Sequence, residues 1–178
     1  MMIQEELKPL EQEFNEIIQD LINNETVQKM RQFRQHYDTS CFEHCKNVAF
    51  YSFLICKKLG FDYVSAARAG MLHDLFLYDW RKRIDGRKGL HAFTHPKAAL
   101  KNAKKLFSLT PKEEDIIVKH MWPVTLLLPR YKESYIISFV DKYCALSESF
   151  ATYKAKYRVS KIPRYAYVFF SLLVFRIM

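Results

Sequence analysis

Four glycines and six prolines are all that this 178-residue chain has for turning. A sandwich or barrel needs a turn every 8–12 residues or so. That shortage excludes an all-β fold and predicts an all-α one. Hydrophobic residues make up 49% of the chain and charged residues 26%, enough apolar surface for a large core and too much for disorder. The length suits one domain of roughly 100–200 residues. No repeat, low-complexity tract or break in composition marks a second. The expectation is a single helical bundle over residues 1–178, with about seven to nine helices.

Other classes are set aside by local composition. The start, MMIQEELKPLEQEF, has neither the basic nor the apolar region of a signal peptide. The longest apolar run, AYVFFSLLVFRIM from Ala166, falls short of the ~20 residues of a membrane-spanning helix; it reads as a buried final helix. Cys41, Cys45, Cys56 and Cys144 lack zinc-ribbon spacing and read as reduced, half-buried thiols. A cytoplasmic protein is expected.

Periodicity and punctuation divide the chain. Ile3, Leu7, Leu10, Phe14, Ile17 and Leu21 form a stripe of helical spacing, which packs on its own domain or forms the seam of a homodimer. A second helix is expected from about Glu25 to Tyr37, with Val27, Met30 and Phe33 facing inward. Ser40 and Glu43 have capping-box spacing, and Gly60 stands where a C′ glycine would end that third helix. A fourth runs from near Asp62 to His73-Asp74. Within it Gly70 costs about 1 kcal/mol against Ala, so close packing is expected to require it. Residues 79–94 read as a loop, followed by a helix capped by Thr94 with Pro96 in its first turn. Thr110-Pro111-Lys112-Glu113 starts another, ending near His120. WPVTLLLP is a loop. A long helix is expected from about Tyr131 to Phe150, and one more after Pro163.

The chemistry gathers on these helices. His44, the His73-Asp74 pair, His95, His120 and Asp141 recur at intervals of 20–30 residues, each on a separate predicted helix. Asp141 lies within YIISFVDKYCAL, where a buried carboxylate without a partner costs several kcal/mol. Each residue alone has a bland explanation as a hydrogen-bonded core group. As a set, they are what a helical bundle uses when each helix projects one ligand inward. Imidazoles with carboxylates suit divalent ions, transition metals foremost; iron, manganese, nickel, cobalt, zinc and magnesium all stay open.

The pattern resembles the HD-domain superfamily of metal-dependent phosphohydrolases. His44-Cys45-Lys46-Asn47-Val48-Ala49 matches its first histidine context, His73-Asp74 its doublet and Asp141 its late aspartate. The likeness covers roughly residues 40–145, with N-terminal helices over 3–37 and C-terminal helices over 146–178. His95-Pro96 and His120 are similar to the added histidines of the binuclear (HDIG and HD-GYP) branch, although no Gly-Tyr-Pro signature is present. The resemblance implies one metal on His44, His73, Asp74 and Asp141. A second would rest on His95 and His120, with Asp74 between the two ions. It further implies hydrolysis of a phosphate mono- or diester, a nucleotide foremost, by metal-activated water. The alternative is a catalytically silent HD domain serving as a nucleotide sensor or partner-binding module.

Other polar residues complete the expected site. Asp79 and His91 are candidate acid–base groups beside Asp74; a loop histidine such as His91 is otherwise a solvated bystander. Arg81, Arg83 and Arg130 offer planar forks for phosphate oxygens. Lys97 opens a basic helical face with Lys101, Lys104 and Lys105. Trp80 and Trp122 either stack on a base or pack in the core. Lys and Arg number 28 against 19 Asp and Glu, a net +9, which favours an anionic small molecule. No nucleic-acid motif accompanies the charge, so a nucleic-acid partner is not expected.

Overall fold

The computed structural model describes residues 2–36, 39–82 and 89–157. Within them the fold is all-α, apart from one small hairpin. Seven α-helices run in order: α1 (Met2–Ile22), α2 (Glu25–Gln28), α3 (Cys41–Lys58), α4 (Tyr63–Leu72), α5 (His91–Leu106), α6 (Pro111–Lys119) and α7 (Lys132–Tyr157). Strands β1 (Arg34–His36) and β2 (Thr39–Ser40) pair antiparallel ahead of α3. None of these helices is long and apolar enough to cross a membrane. The apolar run from Ala166, the helix expected after Pro163, and Arg83 lie outside the described residues.

The helix ends follow their local chemistry. Ser40 accepts the Glu43 N–H at 3.2 Å, while the Glu43 carboxylate pairs with Arg31 instead of closing the box. Gly60 takes φ +68°, its N–H meets the Lys57 carbonyl, and Phe61 N–H reaches Cys56 at 2.8 Å. This pair of bonds is a Schellman ending. At Thr110 the capping box is complete: its hydroxyl accepts from Glu113 N–H at 3.2 Å, and the Glu113 carboxylate accepts from Thr110 N–H at 2.7 Å.

Two expectations are corrected. The helix foreseen over residues 25–37 stops at Gln28, passes through a 3₁₀ turn (Lys29–Gln32) and becomes β1. The extended segment is held from two sides: Arg34 and His36 pair with β2, and the Arg34 and Gln35 carbonyls accept from the Arg81 guanidinium. The helix foreseen from Thr94 begins at His91 instead, with Leu90 at its cap and Pro96 inside it. Thr94 turns its hydroxyl to the Leu90 carbonyl at 3.2 Å, so it serves inside the first turn and not as the cap.

Helix α4 occupies the centre, against α1, α3, α5, α6 and α7. Its small residues make that possible: Ala66, Ala67, Ala69 and Gly70 are all buried. A Cβ on Gly70 would stand 2.8 Å from the Ala49 Cα and 3.2 Å from Ile137 Cδ1, so α3 and α7 approach as closely as the glycine allows. Helix α1 lies on the chain's own core through Phe14 and Leu21 of the expected stripe, with Ile18 buried beside them and Ile17 half-buried. Burying side chains of this size is worth about 1.5–3 kcal/mol each. With α4 central, whatever ends it stands in the middle of the molecule. The residues there are His73 and Asp74.

Candidate metal centre

Five helices deliver six side chains to one buried cluster. His44 comes from α3, His73 and Asp74 from the end of α4, His95 from α5, His120 from the end of α6 and Asp141 from α7. None is more than 9% exposed. His44 Nε2 lies 3.0 Å from Asp141 Oδ1, and His73 Nε2 lies 3.6 Å from the same oxygen. Asp74 faces both ways. Its Oδ2 is 3.6 Å from His73 Nε2, and its Oδ1 is 3.2 Å from His95 Nε2 and 3.6 Å from His120 Nε2.

Backbone contacts hold these groups in place. Cys41 Sγ–H donates to the Asp74 carbonyl at 3.3 Å, and Asn102 donates to the Leu75 carbonyl at 2.8 Å. The turn after the doublet carries Leu77 at φ +55°, an uncommon conformation for a branched side chain. Lys142 donates to the carbonyls of His120 at 3.1 Å and Ser138 at 2.9 Å, which ties the end of α6 to α7.

The ring tautomers follow from what the far nitrogens touch. A carbonyl oxygen only accepts, so a ring nitrogen bonded to one must carry the proton. Nδ1 of His73, His95 and His120 each lies 2.8 Å from a carbonyl, those of Gly70, His91 and Ile117. At His73 and His120 the ring thereby satisfies a carbonyl that the ending helix leaves open. All three Nε2 atoms then present lone pairs whenever the rings are neutral. His95 Nε2 and His120 Nε2 face each other at 2.8 Å, an arrangement that needs a cation between them, either a proton or a metal ion. His73 Nε2 and Asp74 Oδ1 are buried without a hydrogen-bond partner.

Charge is distributed accordingly. Burial and the neighbouring His73 and His95 push His120 down to about 3. Burial opposes a charged His44, yet its bonds to Asp141 and Glu148 hold it well above the usual histidine range. Asp74 is held low against burial by His73 and His95, and Asp141 by His44 and His73. Among the described residues, every ion-pair partner of these two aspartates is a histidine. Two sets, His44–His73–Asp141 and His73–Asp74–His120, each bring their ligand atoms within 4.8 Å of one another and could hold a metal ion. Orphaned donor atoms, bare lone pairs and two compensating carboxylates all fit a divalent cation.

The remaining expected residues are placed as follows. His91 opens α5 sandwiched between Trp80, stacked at 5.4 Å, and His95 at 4.5 Å, and it is hydrogen-bonded to the Tyr78 hydroxyl at 3.2 Å. Asp79 accepts the Arg81 N–H at 3.1 Å in the turn after the doublet. Arg81 lies over Trp80 and donates to the Arg34 and Gln35 carbonyls at 2.8 and 3.0 Å, so its fork grips β1. Lys97 and Arg130 are exposed, on α5 and at the end of the loop before α7. Trp122 packs edge-on against Tyr135.

Two residues escaped the sequence reading. Gln35 on β1 donates its amide to Asp74 Oδ2. Nothing in the sequence marks it, because its partner is 39 residues away. Glu148 lies 3.0 Å from His44 Nδ1. A signal existed for this one: it follows Asp141 by seven residues, two turns along the same face of α7.

Comparison with known families, curated proteins and solved structures finds no match for the chain. Its reading therefore rests on the site itself.

Proposed function

We propose that the chain is an HD-type metal-dependent phosphohydrolase, cleaving a phosphate mono- or diester of a nucleotide-like molecule with water. One observation carries the reading. Three buried histidines turn their Nε2 atoms toward a single buried aspartate, each with its far nitrogen anchored on backbone. His44, His73 and Asp141 would hold one ion, and His95 with His120 a second, with the two oxygens of Asp74 facing either side. A divalent ion so held supplies Lewis acidity, lowering the pKa of water from about 15.7 toward about 7 and offsetting phosphoryl charge.

The chain's own groups supply the rest. Gln35 fixes Asp74 through its amide N–H, and its buried Oε1 has no protein partner. That oxygen is an acceptor able to orient an attacking water. The Tyr78–His91 pair next to His95 would give a proton to the leaving oxygen. Lys97 and Arg130 add positive potential that concentrates an anionic substrate.

Elemental analysis of chelator-free protein, followed by turnover of a broad panel of phosphomonoesters and diesters, tests the proposal. Bound transition metal and hydrolysis, both lost in Asp74→Ala, are expected. Metal-loaded protein that turns over nothing on the panel overturns the hydrolase and favours the silent sensor.

A further inference from the structure

The four histidines of the cluster are not held alike. His73, His95 and His120 lean on neutral backbone carbonyls, whereas His44 leans on a carboxylate. Glu148 Oε2 stands 3.0 Å from His44 Nδ1, and Asn47 Nδ2, one turn along α3, reaches Glu148 Oε1 at 3.4 Å. The Glu148 side chain is only 10% exposed. A carboxylate pulls on the Nδ1 proton harder than a carbonyl does. It leaves Nε2 the stronger donor, and it adds a full negative charge behind the ligand. His95 and His120 have no such backing among the described residues, and together they face one oxygen of Asp74.

We infer that Glu148 makes the two halves of the centre unequal, so that the His44–His73–Asp141 half takes up its ion first and releases it last. Glu148 is a positioning residue here, acting through His44. The inference rests on the metal-centre reading proposed above. Its consequence is a centre whose His95–His120 half fills and empties with the free metal concentration while the other half stays loaded.

Calorimetric titration of the metal-free full-length chain with Mn²⁺ alone tests this against Glu148→Gln, which keeps shape and removes charge. The wild type should show two events separated by about tenfold or more in affinity. The variant should weaken the tighter one by about 10–100-fold and leave the weaker one in place. An unchanged metal-free melting midpoint shows that the fold is intact. Should Glu148→Gln not fold, Asn47→Ala replaces it, with a several-fold loss expected in the tighter event alone. Equal events in the wild type, or a variant that weakens both events or neither, overturn the inference and leave the metal-centre reading standing. A wild type that binds no Mn²⁺ overturns both.

Discussion

Two groups of acids near the ends of α4 and α6 are handled in opposite ways. Around Asp62, Glu133 and Asp115, lysines from α6 do the compensating. Lys112 meets Asp62 at 2.9 Å and Glu133 at 3.1 Å, and Lys119 meets Asp115 at 2.5 Å. Asp62 also accepts from the Ser65 N–H and hydroxyl, and the second oxygen of Asp115 accepts from the Arg130 N–H and the Ser134 hydroxyl. Around Asp74 and Asp141 the chain offers imidazoles and one amide. An acid buried for architecture comes with its own permanent cation. Here the counter-charge is left to a proton or an ion from outside, which is the difference between a clasp and a receptor.

The sharpest break in that comparison is Asp74→Asn. It should abolish metal binding and cut phosphoester turnover by about 10³-fold or more, because several kcal/mol of Lewis-acid stabilisation go with the ion. Asp115→Asn should do the reverse. With Lys119 left unpaired, urea denaturation should show a loss of about 1–3 kcal/mol, while metal content stays at the wild-type level. A variant pair that exchanged these outcomes would remove the distinction.

Gly70→Ala bridges the two regions. Its Cβ would sit 2.8 Å from Ala49 Cα, and overpacking of this kind costs about 1–3 kcal/mol. Since the Gly70 carbonyl also anchors His73, weakened metal affinity should accompany the stability loss, measurable by calorimetry.

The smallest expected effect is on acid stability. Against the pull of burial, Ser65 and Lys112 hold the Asp62 carboxyl below its ordinary value, and Lys119 and the Arg130 N–H do the same for Asp115. Groups lowered in the folded state stabilise it fully above the unfolded pKa of about 3.9. That contribution disappears as pH falls through the folded values. With Asp74 and Asp141 acting in the same direction, the denaturation midpoint of metal-free protein should therefore drop below about pH 4, and less steeply in Asp115→Asn.

What the sequence disclosed was local. Ser40, Gly60 and the Thr110–Glu113 box act within a single turn, so their spacing marked three helix ends correctly. Gly70 was legible because a glycine within a run of alanines and leucines has few other reasons to be there. The six cluster residues were legible as types spread over five helices, and the fold brings them together. The failures were long-range. The strand that replaces the end of the expected second helix is gripped by Arg81, some 46 residues downstream of Gln35. The role of Gln35 exists only once α4 is in place. Helix α5 starts early, at His91, where no side-chain cap announces it.

The carbonyl anchors of His73, His95 and His120 have one more consequence. Each lies three or four residues upstream of its own histidine, so the aim of a ring is fixed by its own stretch of backbone. Distance between rings, by contrast, is set by how the helices pack. When neighbouring helices slide by a few tenths of an ångström, the donor atoms translate and keep their aim. On the proposed reading, such a cage would follow ions of different radius without re-pointing its lone pairs, adjusting its size while its geometry of approach stays the same.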